Sequence, residues 1–255
     1  MIMTPGLAFF YGGLVRRKNE LAIMLQSFIS IGMVTIIWVA VGYSLAFSGG
    51  KGGVIGNLSW AFLRNVGARP GPWAPHIPAL AHFSFQVMFA IITPALITGA
   101  FAGRVAFKSY LKFLVFWSLL VYIPMVHWIW GGGFLAQWGV LDFAGGMVVH
   151  ASAGFAALAS VWVVGARHLL GTIQLGVFAY LSVNAAGQNG LAAGNAAFFG
   201  KEVAAALLVA AYAFGVTWII LKVLDRFEPV RVPSTVEWAG LDTELEDQEE
   251  HASLQ

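Results

Sequence analysis

Apolar runs long enough to cross a bilayer recur along this chain, separated by short polar or glycine-rich breaks. About 20 apolar residues traverse a hydrocarbon core roughly 30 Å thick. Seven segments stand out: Met1–Val15, Leu21–Phe47, His82–Gly103, Leu111–Trp130, Phe143–Val164, Leu169–Ser182 and Val203–Leu224. At about 1.5 Å per residue the first and sixth reach only about 21–23 Å, so both are clipped. The breaks are a Gly- and Pro-rich stretch over Ser48–Leu80 and a tight turn at Gly131–Gly133. No soluble-type repeat of fixed period is present. The pattern predicts an all-α, polytopic helical membrane protein of about seven transmembrane segments. One membrane domain occupies residues 1–224 and a polar tail occupies 225–255.

Composition sharpens this. The chain is 59% hydrophobic and 10% charged, outside the usual range of a soluble domain. Cysteine is absent, which excludes a disulfide framework, a thiolate metal site and a thiol nucleophile. Met1-Ile2-Met3-Thr4 lacks the basic n-region of a signal peptide. Of the 12 acidic residues only Glu20, Asp142 and Glu202 precede Asp225; the rest crowd the tail, which is expected to be solvated. Basic residues are dense in alternate breaks: Arg16, Arg17 and Lys18, then Arg104 and Lys108, then Arg167, then Lys222, Arg226 and Arg231. By the positive-inside bias these breaks are cytoplasmic, with the N-terminus outside, the C-terminus inside and the chain multi-pass in the cell membrane.

The candidate chemistry lies where polar groups interrupt apolar spans. His150 sits in the fifth, eight residues and about 12 Å past Asp142. A titratable group at such depth is costly unless it faces protein or a pathway. A neutral imidazole has one donor and one acceptor and can pass along a small polar molecule or a proton. A bare ion has no comparably cheap route. The competing reading is a structural histidine bonded to another span. Phe85 and Phe89 lie four apart on one helical face, next to Gln86, Thr93 and Pro94. Core or lipid packing and the lining of a cavity both account for the pair. Trp128, Trp130 and Trp138 suit an interfacial aromatic belt. The Trp130 face, with Phe85, also suits a small cation, an attraction of about 0.5–2 kcal/mol. Asp142 fits a helix N-cap and a carboxylate that biases a vestibule toward cations. His127 fits a satisfied interfacial histidine.

Four strings carry a resemblance: MTPGLAFFYGGLVR over Met3–Arg16, FQVMFAIITP over Phe85–Pro94, HWIWGGG over His127–Gly133 and LDFAGGMVVH over Leu141–His150. Together with EWAGLD at Glu237–Asp242 they are similar to the ammonium transporter family (Amt/Mep/Rh). The resemblance implies an outer ammonium site at Phe85 and Trp130 supported by Asp142, an outer gate ring at Phe89, and the first of two pore histidines at His150. It further implies recruitment of ammonium as a cation and passage as ammonia, with the proton moved separately. It also implies nitrogen uptake through a channel in each subunit of a homotrimer, and a PII-type signal protein as a partner of the tail. No cofactor, metal or nucleic acid enters this scheme.

The chain departs from the eleven-span family pattern. LLGTIQLGVFA over Leu169–Ala179 resembles the second half of the tenth span, so the resemblance implies an internal deletion near residues 167–171. Spans six to nine, part of the tenth and the start of the first are then lacking. With them go the second gate phenylalanine, a serine of the outer site and the second pore histidine. His168 lies at the join without the run that surrounds that histidine, and reads as a loop residue. The family is built from inverted halves, so loss of most of one half would expose His150 and the phenylalanines to lipid or to another subunit. The leading expectation is an ammonium transporter impaired by the missing spans. The alternative is a non-transporting fragment, or a sensor or assembly subunit of a transporter complex. Lys222 sits too near the interface for a retinal Schiff base, and Ser152 lacks a nucleophile turn; no enzyme is expected.

Overall fold

The computed structural model describes residues 2–50, 52–165 and 196–242. Among them, five continuous helical stretches are long and apolar enough to cross a membrane: Arg17–Phe47, Ala79–Phe101, Phe107–Trp138, Gly146–Val164 and Gly200–Phe227. The helices in chain order are α1 (Met3–Gly12), α2 (Glu20–Ile37), α3 (Tyr43–Phe47), α4 (Ala79–Phe101), α5 (Phe107–Trp117), α6 (Ile123–Ile129), α7 (Phe134–Trp138), α8 (Ser152–Val164), α9 (Ala196–Phe227) and α10 (Ser234–Ala239). Every expected span within the described residues is a helix, though the first is only the 10-residue α1. The sixth, Leu169–Ser182, lies outside the described residues, as do His168 and the 167–171 segment. Helices α4, α5 and α9 start before their apolar runs do, because backbone hydrogen bonding continues into the interfacial zone where hydropathy has already fallen.

Three π-helical turns interrupt the spans: Trp38–Gly42 between α2 and α3, Ser118–Tyr122 between α5 and α6, and Gly146–Ala151 leading into α8. Such turns insert one residue into the helical ladder and re-aim the side chains beyond it. Two of them face each other through Trp38 and Tyr122, whose rings lie 6.0 Å apart. The core continues from there as an aromatic column along α5: Tyr122 stacks on Trp117 at 6.2 Å, Trp117 on Phe113 at 6.4 Å, and Phe113 meets Phe101 at 4.9 Å. Trp117 Nε1–H donates to Thr217 Oγ1 at 3.0 Å, tying α5 to α9. In apolar surroundings such a bond matters because neither group can turn to water.

Pro94 sits inside α4 without ending it. Its missing N–H is tolerated because neighbouring helices enclose the turn, and Thr93 Oγ1–H donates back to Phe89 O at 2.6 Å. Between α3 and α4 the chain forms an outlying segment that closes in a small antiparallel hairpin, β1 (Pro70–Gly71) and β2 (Ala74–Pro78).

One end of the bundle gathers Arg16–Lys18, Arg104, the end of α8 and the segment after α9. There the expectation of a solvated tail does not hold for its first part. Val230 O accepts from Ala106 N at 3.2 Å, and Val232 N donates to Arg104 O at 2.8 Å. Arg231 pairs with Glu237 at 2.8 Å and donates to Val164 O at 3.1 Å. Asp242 accepts from Leu21 N and Ala22 N at 3.2 and 2.9 Å, so it caps the positive end of α2 from more than 200 residues away. Asp242 looks solvated in sequence because its partners are backbone amides, which carry no sequence signal.

Candidate functional site

The opposite end of the bundle brings together four of the five residues singled out by the sequence. Phe85 and Phe89, one turn apart on α4, meet edge to face with centroids 5.0 Å apart. Phe89 in turn meets Trp130, just past the end of α6, at 5.9 Å and 69°. Phe89 is thus the ring that touches both of the others. Phe85 is 58% exposed, whereas Phe89 and Trp130 are half-buried. Trp130 is held by its indole N–H, which donates to the main-chain oxygen of Asp142 at 2.6 Å.

The turn that delivers Trp130 depends on glycine. A Cβ on Gly131 would lie 1.9 Å from Ala46 O, so only glycine lets α6 end against α3. His127, one turn earlier, is buried and donates from Nδ1 to the same Ala46 carbonyl at 2.9 Å, the satisfied structural role expected of it.

Asp142 caps the helix that carries His150. Its carboxylate accepts from Gly146 N at 2.8 Å, Met147 N at 2.9 Å and Val148 N at 3.0 Å. These are amides at a helix start that have no intrahelical partner. Three bonds to one ionised acceptor fix both the carboxylate and the first turn. Gly145, at φ +80°, makes the entry: its carbonyl accepts from both Val149 N and His150 N at 2.9 Å, the i+5 bond that starts the π turn. A Cβ there would lie 2.8 Å from Val149 Cγ2 and 3.6 Å from the Trp130 ring. The π turn therefore sets where His150 points.

His150 does not join the aromatic group. Its side chain is exposed in the single chain, with no hydrogen-bond partner among the described residues. Gly154, Leu158 and Trp162, at four-residue intervals below it on α8, are also exposed. Among the described residues no neighbouring span supplies a hydrogen-bond partner for the imidazole.

Sequence reasoning missed Glu202. From α9, its Oε1 accepts from Leu141 N at 2.9 Å, steadying the residue before Asp142, while Lys201 Nζ donates to Trp138 O at 3.2 Å. The available signal was that Glu202 is one of only three acidic residues before the tail and stands at the edge of an apolar run. No group of three or more metal-ligating side chains occurs among the described residues.

Known proteins bear on this arrangement. The family model of the Ammonium Transporter Family matches residues 1–170 and again 168–251, two matches that overlap over residues 168–170. An ammonium transporter of Bacillus subtilis is 51% identical over 166 residues, 65% of this chain and 41% of that protein. A relative from Methanothermobacter thermautotrophicus is 40% identical over 244 residues, 90% of this chain and 58% of that protein. The chain thus spans about two- to three-fifths of the length of such curated relatives, and is shorter than full-length members. The crystal structure of Candida albicans Mep2 aligns with TM-score 0.60 and 36% identity, over 66% of this chain and 37% of Mep2. A sensor Amt protein aligns with TM-score 0.76 over 94% of this chain, at 17% identity, which shows a shared fold alone. Helical spans, site strings and both family matches agree: this chain is a multi-pass membrane protein that belongs to the ammonium transporter family.

Proposed function

We propose that the chain recruits ammonium at the Phe85–Trp130 end and passes ammonia along the face bearing His150. The observation that carries this reading is the linked geometry of the site: a chain of aromatic rings anchored through Trp130 to Asp142, with the same Asp142 capping the helix that bears His150. Aromatic rings beside one carboxylate attract a small cation by about 0.5–2 kcal/mol. Between them and the basic end no described carboxylate follows, so an ion entering the slab would lose its hydration uncompensated. The cation therefore gives its proton to water at the open aromatic end, and neutral ammonia moves past the imidazole. The basic end, with Arg16–Lys18, Arg104 and the docked tail, faces the cytoplasm, and the aromatic end faces outward. Assembly as a homotrimer, with a PII-type protein meeting the tail, belongs to the same reading.

The exposure of His150 favours a second element: transport by this chain is impaired, because lipid stands where the other wall of a pore would be. On the alternative reading the chain is a non-transporting subunit whose open face is covered by a full-length relative. Uptake of labelled methylammonium into cells lacking other ammonium carriers separates these. The transport reading predicts weak uptake that falls when Trp130 is replaced by leucine. No uptake from verified membrane-inserted protein contradicts it and favours the subunit reading.

A further inference from the structure

A concavity of ≈ 370 Å³ lies beside the segment between α3 and α4, apart from the Phe85–Trp130 rings. That is within the size range of small-molecule sites, about 300–1,000 Å³. Tyr43 and His82 line its inner part, with the Tyr43 hydroxyl 3.0 Å from His82 Nδ1. Trp60 stacks on Tyr43 at 5.9 Å and 25°. Trp73 contributes a further wall and is pinned by its indole N–H to Phe47 O at 2.6 Å. These rings are held by contacts of their own, so the aromatic walls exist without a ligand.

Arg69, just before β1, supplies the charge at the exposed rim. No carboxylate lines the pocket, and Arg69 is in neither of the ion pairs formed among the described residues. Residues 48–82 contain Lys51, Arg64 and Arg69 and no acidic residue at all. The field at this site therefore favours an anion, the reverse of the Asp142 site.

An independent observation marks the same place. Phe62, Leu63 and Asn65 have φ of 54°, 58° and 63°, a left-handed conformation that is costly for Phe and Leu. Asn65 and Val66 continue directly into the pocket wall. Strain of this kind persists where the surroundings over-determine it, and it clusters at ligand clamps.

We propose that this pocket binds a small aromatic carboxylate, its ring against Trp60, Tyr43 and Trp73 and its carboxylate on the Arg69 guanidinium. Guanidinium and carboxylate match in planar, two-point geometry. The apolar aromatic walls are wasted on a bare inorganic anion, and the unpaired Arg69 disfavours a cation.

The test uses the full chain in neutral detergent at fixed ionic strength. Sodium benzoate, benzylammonium chloride and sodium phosphate are each titrated, read by calorimetry and by tryptophan fluorescence. Saturable benzoate binding is expected, with benzylammonium and phosphate at least about tenfold weaker. Arg69→Gln, at an exposed position, should weaken benzoate by about tenfold. Trp60→Leu should weaken it as well, and Trp60→Phe, which keeps a ring, should retain binding within about threefold of the parent. Absence of saturable benzoate binding overturns the proposal. So does equal binding of benzylammonium or phosphate, a comparison made on the parent protein that needs no variant to fold. Unchanged affinity in a monodisperse Arg69→Gln protein assigns benzoate elsewhere and likewise overturns it.

Discussion

Replacing Asp142 with alanine removes the acceptor for three amides, those of Gly146, Met147 and Val148. Each bond to a charged acceptor is worth about 1.5–3 kcal/mol where its partner would otherwise stay buried and unpaired. Here the carboxylate is half-buried and Gly146 is exposed, so the freed amides partly regain water, and the loss of an N-cap is the better guide, about 0.5–2 kcal/mol. Three bonds place Asp142→Ala at the top of that range, about 2 kcal/mol, or about thirtyfold in the folding equilibrium. Asp142→Asn keeps one carbonyl oxygen but loses the charge that complements the helix start, and should cost about 1 kcal/mol. Because Trp130 bonds to the main-chain oxygen of residue 142, its anchor survives both changes. Unfolding in mixed micelles with increasing dodecyl sulfate, followed by far-UV circular dichroism, orders the three proteins. Parent and Asp142→Ala agreeing within about 0.5 kcal/mol would refute the capping role, since that is the scatter of an ordinary surface substitution.

Gly145→Ala should cost about 1–2 kcal/mol and lower affinity for methylammonium, because residue 145 sits at φ +80° and its Cβ would press on Val149; parental stability and affinity in this variant would contradict the geometry. Asp242→Ala should release the tail from the amides of Leu21 and Ala22; limited proteolysis then cuts between residues 228 and 242 faster than in the parent, and equal rates would show that the cap does not hold the tail. Lys112 pairs with Glu228 and holds its carboxyl below the ordinary glutamate value of 4.5. A carboxyl depressed on folding stabilises above its unfolded pKa, and that contribution fades as pH falls through the folded value. Lys112→Met should therefore flatten the acid-side decline of stability below about pH 5, and an unchanged pH profile would remove the pair from the account.

Much of this arrangement was legible because membrane helices declare themselves by apolar runs, because Phe85 and Phe89 stand one helical turn apart, and because Asp142 is a rare carboxylate at the edge of such a run. The sixth expected span, Leu169–Ser182, lies outside the described residues. Three features were hidden. The π turns have no hydropathy signature, since one inserted residue leaves the apolar content of a span unchanged; yet the turn at Gly146–Ala151 sets the direction of His150. Glu202 and Asp242 bind backbone amides, and no sequence pattern names such a partner. The hairpin at Pro70–Pro78 lies in a Gly- and Pro-rich stretch where alternation is too short to register as strand.

Transport on this reading requires His150 to meet a neutral amine within the membrane, and the direct test is methylammonium uptake into proteoliposomes by the parent chain and His150→Ala, with insertion and orientation verified for both. Measurable uptake is expected for the parent, with a loss of about tenfold or more in the variant. Equal uptake by the two proteins would contradict it.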